Sequence, residues 1–329
     1  MYRSRTLVLL PALVLAMTLF ATEPATGQDP DELEIGFVPS VETSSLVEDI
    51  QPLADYLSVA LGMPVTGKVA PSYPTLVTAM QIGQTDIGAL PPLGMVQAVD
   101  MAGAEFILQS VRFGSPTYHT QFFTNDPDKY CDDEPVVNER REAGRMLPFL
   151  NCNGTDRRFD ETRMGPIGLD ALERLEPGTT VAFTRAGSSS GYIFPATVLA
   201  NLGIDPVQDL DVLFTDEHDH SVITVCMGKA EVGVSYDDAR PDATTDCDVS
   251  GSVVVFAYGP EIPNDGIAVS GDLSDGLRDR IKQALLDYAA TEDGARVLDT
   301  IYNINAFAEP DLDSLQIIRD AVKKLGYGQ

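Results

Sequence analysis

A chain of 329 residues, 44% of them apolar, has enough material for about two domains, each with its own core. Its formal charge of −28 repels nucleic acid and anionic membranes and argues against functions that depend on holding a polyanion. The same charge opposes an anionic ligand, so an oxyanion site here must work at short range through aimed hydrogen bonds, since bulk charge is screened beyond about 8 Å in physiological salt.

Met1 to Phe20 carries a basic start (Arg3, Arg5) and an apolar run from Leu7, followed by the small residues Ala21, Ala25 and Gly27. This pattern predicts a cleaved secretory leader over 1–27 and an exported mature chain. Cleavage near Gly27 removes Arg3, Arg5 and Glu23 and leaves the chain one unit more negative. No cysteine lies near that point, so a soluble periplasmic protein is expected rather than a lipid-anchored one.

From Leu33 the chain alternates strand and helix with short connections, which defines an α/β fold. Strands are expected at Leu33–Val38, Val65–Val69, Asp86–Leu90 and Phe106–Val111. Helices are expected at Thr43–Leu61, at Tyr73–Ile82 before Gly83, and at Pro92–Met101. An apolar stretch, Tyr118–Thr124, leads out of this first unit. Asp126–Gly178 then breaks the rhythm with scattered charge and two cysteines, and reads as a long surface insertion stapled by a disulfide. Alternation resumes with strands at Thr179–Arg185, Leu210–Phe214, Glu231–Tyr236 and Val253–Tyr258 and a helix at His220–Met227. Gly266–Ser270 leads away, and helices follow at Ser274–Ala290, Gly294–Tyr302 and Leu312–Leu325.

Four cysteines in an exported chain favour disulfides over metal ligation, and no CxxC spacing suggests zinc. Of the three connectivities, Cys131 with Cys152 and Cys226 with Cys247 is preferred, because each pair brackets a separate segment.

The stretch Thr179–Pro195, TTVAFTRAGSSSGYIFP, concentrates the chemistry. A strand turns through Ala186-Gly187 into an apolar helix that opens at Ser188-Ser189-Ser190-Gly191, leaving unpaired backbone N–H groups at the positive end of the helix dipole. Such a place binds anions, and three serine hydroxyls add donors without a cation. One serine is explained as an N-cap, but three are not. Gly187-Ser188-Ser189-Ser190-Gly191 also matches the G-x-S-x-G elbow of α/β-hydrolases, which makes an exported serine esterase using Ser189 the competing reading. Its histidine should come late in the chain, yet the histidines are His119, His218 and His220. His218-Asp219-His220 would place two imidazoles on one face of a strand, a minor metal reading that lacks further clustered ligands.

Several segments together resemble a family: Pro52-Leu53-Ala54-Asp55-Tyr56-Leu57, Tyr73 with Thr78-Ala79-Met80 and Gly83, Asp86-Ile87-Gly88, Ser189-Ser190-Gly191-Tyr192 with Pro195, His218-Asp219, Gly228-Lys229-Ala230-Glu231-Val232-Gly233, and Ile262-Pro263-Asn264. The chain resembles the periplasmic phosphate/phosphite/phosphonate-binding proteins of ABC transporters, within the type II periplasmic-binding-protein fold. The resemblance implies two α/β lobes joined by crossings near Tyr118–Thr124 and Pro263–Val269, with ligand in the cleft between them. Lobe I would comprise 28–120 and 266–329, and lobe II 121–265 with the insertion 126–178. It further implies that Ser188, Ser189 and Ser190 hold the phosphoryl oxygens. Tyr73 takes the cleft tyrosine position, Tyr118 or His119 the second aromatic position, His218 the histidine position, and Asp237 an acidic position with Asp238 as the alternative. A carboxylate only accepts hydrogen bonds, so Asp237 in such a site implies a P–OH proton or a ligand amine. The expected partners are a small phosphorus oxyanion and an ABC permease, with no nucleic acid, no cofactor, no catalytic residues and a monomeric chain.

Overall fold

The structure is a computed structural model that describes residues 29–38, 46–142, 145–156 and 165–326; the expected leader lies outside the described residues. The chain opens with β1 (Leu33–Phe37), α1 (Leu46–Asp49), α2 (Gln51–Leu61), β2 (Val65–Val69), α3 (Tyr73–Gln81), β3 (Ile87–Leu90), α4 (Pro92–Ala102) and β4 (Glu105–Val111). It continues through β5 (Thr117–Thr124), α5 (Pro127–Tyr130), β6 (Val136–Glu142), β7 (Arg145–Asn151), β8 (Thr180–Phe183), α6 (Phe194–Asn201), β9 (Asp211–Phe214), α7 (His218–Cys226), β10 (Val232–Tyr236), α8 (Val249–Ser252) and β11 (Val254–Pro263). It returns through β12 (Gly266–Val269), α9 (Asp275–Ala289), α10 (Glu292–Tyr302), β13 (Ala306–Ala308) and α11 (Ser314–Lys324).

Among the described residues the strands form two sheets, ordered β13-β4-β12-β3-β1-β2 and β6-β7-β11-β5-β10-β8-β9. In each, a parallel βαβ part (β2-β1-β3, and β10-β8-β9) is extended by antiparallel strands that carry the chain between sheets. Helices cover both faces, as parallel strands require. One core lies under α2, α9 and α10 around Ile35, Leu57 and Ile281. Another lies under α7 around Phe123, Val225 and Val255. A third runs continuously from Leu90, Met95 and Ile318 beside the first sheet to Ile193, Leu199 and Phe256 beside the second.

Three expectations need correction. The helix expected over Thr43–Leu61 breaks at Ile50, because Pro52 in the first turn of α2 has no N–H to continue α1. Residues 43–45 lie outside the described residues. The passage between the sheets falls at Arg112–Pro116, so the boundary expected at 120 lies inside β5, which pairs with β10 and β11. The insertion is more than a surface loop. Its β7 pairs in parallel with β11, Tyr130 stacks on Phe256 at 4.6 Å between centroids, and Leu172 is fully buried. Disulfides join Cys131 to Cys152 and Cys226 to Cys247, with Cα separations of 5.2 and 6.2 Å, and both are within the normal span.

Candidate ligand-binding site

β8 delivers Thr184 to a tight turn, closed by the Ser188 N–H donating to the Arg185 carbonyl at 2.8 Å. A single π-helical turn, Ser189–Ile193, then feeds α6. Such turns are often found at functional sites. Gly191 is required there, since a Cβ at that position would lie 1.7 Å from Thr184 Oγ1.

The three serines make different contacts. Ser188 is the N-cap: its Oγ accepts from the Gly191 N–H at 3.1 Å and lies 3.2 Å from His218 Nε2. His218 Nδ1 accepts from the Tyr236 N–H at 3.2 Å, which leaves the ring proton on Nε2 as a donor to Ser188. Burial, with the nearby Arg185 charge, lowers the His218 pKa to about 3, so the ring is neutral. Ser188 Oγ therefore accepts twice while its own hydrogen stays available. Ser189 Oγ accepts from the backbone N–H of Leu93 at 3.2 Å, a contact from the other sheet. Ser190 hydrogen-bonds through its side chain with the Tyr118 hydroxyl, and its carbonyl accepts from Thr120 Oγ1.

Leu93 stands in the first turn of α4, whose N-terminus has Pro91 and no side-chain cap. Two helix starts, one from each sheet, thus face one another across Ser189, each with its positive dipole end at the same place. Tyr73, the first residue of α3, lies beside the serine turn: a Cβ built on Gly187 would sit 3.9 Å from its ring. Burial raises the pKa of both Tyr73 and Tyr118, so each phenol is a donor at any physiological pH. Ser188, Ser189, Ser190, Tyr73, Tyr118 and His218 are therefore assembled around one point.

His119 and Asp237 are not assembled with them. Side chains alternate along β5, so Tyr118 and Thr120 face the serine turn and His119 and Gln121 face the opposite side. There the His119 N–H donates to Asp237 Oδ1 at 3.1 Å, and its Nδ1 lies 3.8 Å from Oδ2. Asp238, the alternative, is held by Gln121 and by a buried ion pair with Arg240. Of the two residues left open for the second aromatic position, Tyr118 is the one on the serine side.

Sequence reasoning missed the ion pairs that frame this point. Arg185 pairs with Glu217, and Arg112 holds Asp265 with both terminal nitrogens while its Nε donates to the Tyr302 carbonyl at 2.6 Å. Burial raises the Glu217 pKa to about 7, although Arg185 pulls it down. The Pro91-Pro92-Leu93-Gly94 run after a strand was the legible sign of the second helix start, since proline is favoured in the first turn.

The hydrolase elbow does not form. The histidine contacts Ser188 rather than Ser189, and a backbone N–H, not a carboxylate, occupies its Nδ1. That arrangement makes Nε2 a donor, the reverse of what a general base needs. His218 and His220 sit at the start of α7, not on a strand, and among the described residues no group of three or more His, Cys, Asp or Glu is placed to hold a metal.

Two α/β halves of this topology, with two helix starts facing one another where they meet, define a type II periplasmic solute-binding fold. Residues 35–315 match the family described as ABC transporter, phosphonate, periplasmic substrate-binding protein, and the chain belongs to that family. It is 21% identical over 304 residues to the phosphonates-binding periplasmic protein of Escherichia coli K12, covering 92% of this chain and 79% of that one. Among solved structures it resembles PhnD1 of Prochlorococcus marinus in complex with methylphosphonate (TM-score 0.69, 16% identity, 91% of this chain and 99% of that one). It also resembles a binding protein of an ABC phosphonate transporter from Pseudomonas aeruginosa (TM-score 0.67, 21% identity, 90% and 87%). Family membership replaces the esterase reading.

Proposed function

We propose that this chain captures a small phosphorus oxyanion (a phosphonate, phosphite or phosphate) between its two lobes outside the cytoplasm and presents it to an ABC permease. The observation that carries this is the meeting of two helix starts at Ser189, ringed by neutral donors: the serine hydroxyls, with Ser188 buttressed by the His218 Nε2–H, and the Tyr73 and Tyr118 phenols. Neutral donors suit a tetrahedral anion, because they supply hydrogen bonds in fixed directions without burying a free counter-ion. The carboxylates at this point, Glu217 and Asp265, are each paired with an arginine, so neither stands as a free negative charge against the ligand. Lobe I is proposed as the first sheet with its helices and lobe II as the second, and the functional role of Ser188, Ser189, Ser190, Tyr73, Tyr118 and His218 is part of the proposal.

A thermal-shift screen with methylphosphonate, phosphite, phosphate and sulfate tests it. A rise in melting temperature with at least one phosphorus oxyanion and none with sulfate is expected, since any ligand that binds only the folded chain raises its stability. No shift with any phosphorus oxyanion at millimolar concentration would sink the reading.

A further inference from the structure

The Arg185–Glu217 pair is an ion pair with one half unused. Arg185 opens the turn that ends in Ser188, so its side chain starts from the same few residues as the serine cradle. Nη2 donates to Glu217 Oε1. Nη1 is buried and has no hydrogen-bond partner among the described residues. A guanidinium cannot shed a proton to escape this, and a buried donor left without an acceptor is costly. The position is informative as well: the Arg185 charge acts on Tyr73 and on His218, so the guanidinium sits among residues that frame the cradle.

We propose that Arg185 is a ligand-contacting, specificity-determining residue that Glu217 holds in reserve, its Nη1 edge donating to an oxygen of the captured oxyanion while Glu217 takes up a proton from solvent as the anion arrives. This rests on the oxyanion reading above. The chemistry follows from charge counting. With the site empty, one guanidinium faces one carboxylate. With the site filled, it lies between a carboxylate and a second anion, and the relief available is protonation of the carboxylate. The groups facing Glu217 favour that outcome: Asp216 and Asp219 on its own segment push towards the protonated form, Arg185 from the end of β8 and His220 oppose it, and Tyr73 from α3 stays an uncharged phenol. Burial already brings the empty-site carboxyl to about 7, so only a modest push is needed. The ligand class favoured is a compact anion with an oxygen to spare beyond those the serines hold, such as a phosphonate, phosphite or phosphate.

Titration calorimetry of the whole mature chain with methylphosphonate, at pH 7 in two buffers of different ionisation enthalpy, reads the proton count. The wild-type protein is expected to take up about half a proton more per ligand than Glu217→Gln, the ligand's own titration being common to both. Removing Arg185 from the Glu217→Gln protein, as Arg185→Met, is expected to weaken binding about tenfold, the worth of one charge-assisted hydrogen bond. Equal proton uptake in wild type and Glu217→Gln, or unchanged affinity on losing Arg185, overturns the proposal. Should Glu217→Gln not fold, Arg185→Lys decides. It keeps the charge and loses the second donor edge, so weakened binding supports the proposal and wild-type affinity overturns it. Failure of the wild-type protein to bind methylphosphonate, phosphite or phosphate shows before any variant is made, and overturns the parent reading together with this one.

Discussion

Ser188, Ser189 and Ser190 are adjacent in sequence and divided in role. Ser188 caps and is buttressed by a neutral histidine, Ser189 reaches the opposite helix start, and Ser190 ties Tyr118 into the cradle. Replacing Ser189 and Ser190 by alanine removes charge-assisted hydrogen bonds worth about 1.5 to 3 kcal/mol each. The double variant is expected to bind methylphosphonate at least about a hundredfold more weakly while its melting curve stays cooperative. Arg185→Ala should cost about tenfold at most; calorimetry on the three proteins gives the ranking. A second prediction concerns acid. His218 is held near 3 in the fold against an ordinary 6.5, so between those values the unfolded chain binds the extra proton and stability falls as pH drops. Glu217, raised from 4.5 to about 7, does the reverse: the folded chain binds the extra proton, and stability falls as pH rises through that window. The two slopes oppose between about 4.5 and 6.5. His218→Gln should therefore lessen the loss of melting temperature on going from pH 7 to pH 5, and Glu217→Gln should enlarge it.

At the scale of elements, most of the fold was legible because apolar periodicity survives in buried strands and amphipathic helices. β1, β2, β3, α3, α4 and α9 appear within a residue or two of where the pattern puts them. The insertion hid its structure. β6 and β7 form an edge hairpin that exposes the apolar Val137 and Met146 alongside Glu139, so no apolar/polar alternation marks an inward face, and the insertion's burial comes from isolated residues such as Tyr130 and Leu172. The candidate site was half legible. Serines and a helix start announce themselves in one stretch, whereas the Leu93 N–H and the Arg112–Asp265 pair depend on contacts 96 and 153 residues apart in the chain. The choice left open between Tyr118 and His119 is of the same kind: which of the two faces the serine turn depends on strand phase at a crossing, which β5 sets by pairing with β10 and β11. The cysteines were readable because each pair closes a short loop, with partners 21 residues apart. On the chain-entropy argument, each bridge adds up to about 3 kcal/mol. Changing Cys131 and Cys152 together to alanine should lower stability in urea by no more than that, and peptide mapping without reductant should recover the two bridges as paired here.

For the whole molecule, the acidic surface and the proposed anionic ligand pull in opposite directions. Diffusing anions meet a repulsive field, so the association rate in stopped flow should rise with salt towards 0.15 M, about the ionic strength where the field is cut off at 8 Å, before it levels. The lobes meet in the structure through Leu93 and Ser189, through Tyr73 against the Gly187 turn, and through the core that α11 shares with α4 and α6. Those joints are unequal. Arg319 fastens α11 to Asp100 of α4 at 2.6 and 2.9 Å, while α11 meets α6 through the shared apolar core and a long hydrogen bond, Thr197 Oγ1 to the Ala321 carbonyl at 3.5 Å. The crossings are tied to each other instead: Asn264 donates to the Ser110 and Ser115 carbonyls, and Arg112 grips Asp265. A joint whose hydrogen bonds are concentrated at the crossings and sparse across the cleft lets the lobes rotate as units. Opening would expose the serines and give up few hydrogen bonds across the cleft, and a bound anion bridging the two helix starts would draw the lobes together again. Small-angle scattering should accordingly show a smaller radius of gyration with saturating methylphosphonate than without it. An unchanged radius with a ligand shown by calorimetry to bind tightly would mean that the cradle fills without any closing of the lobes.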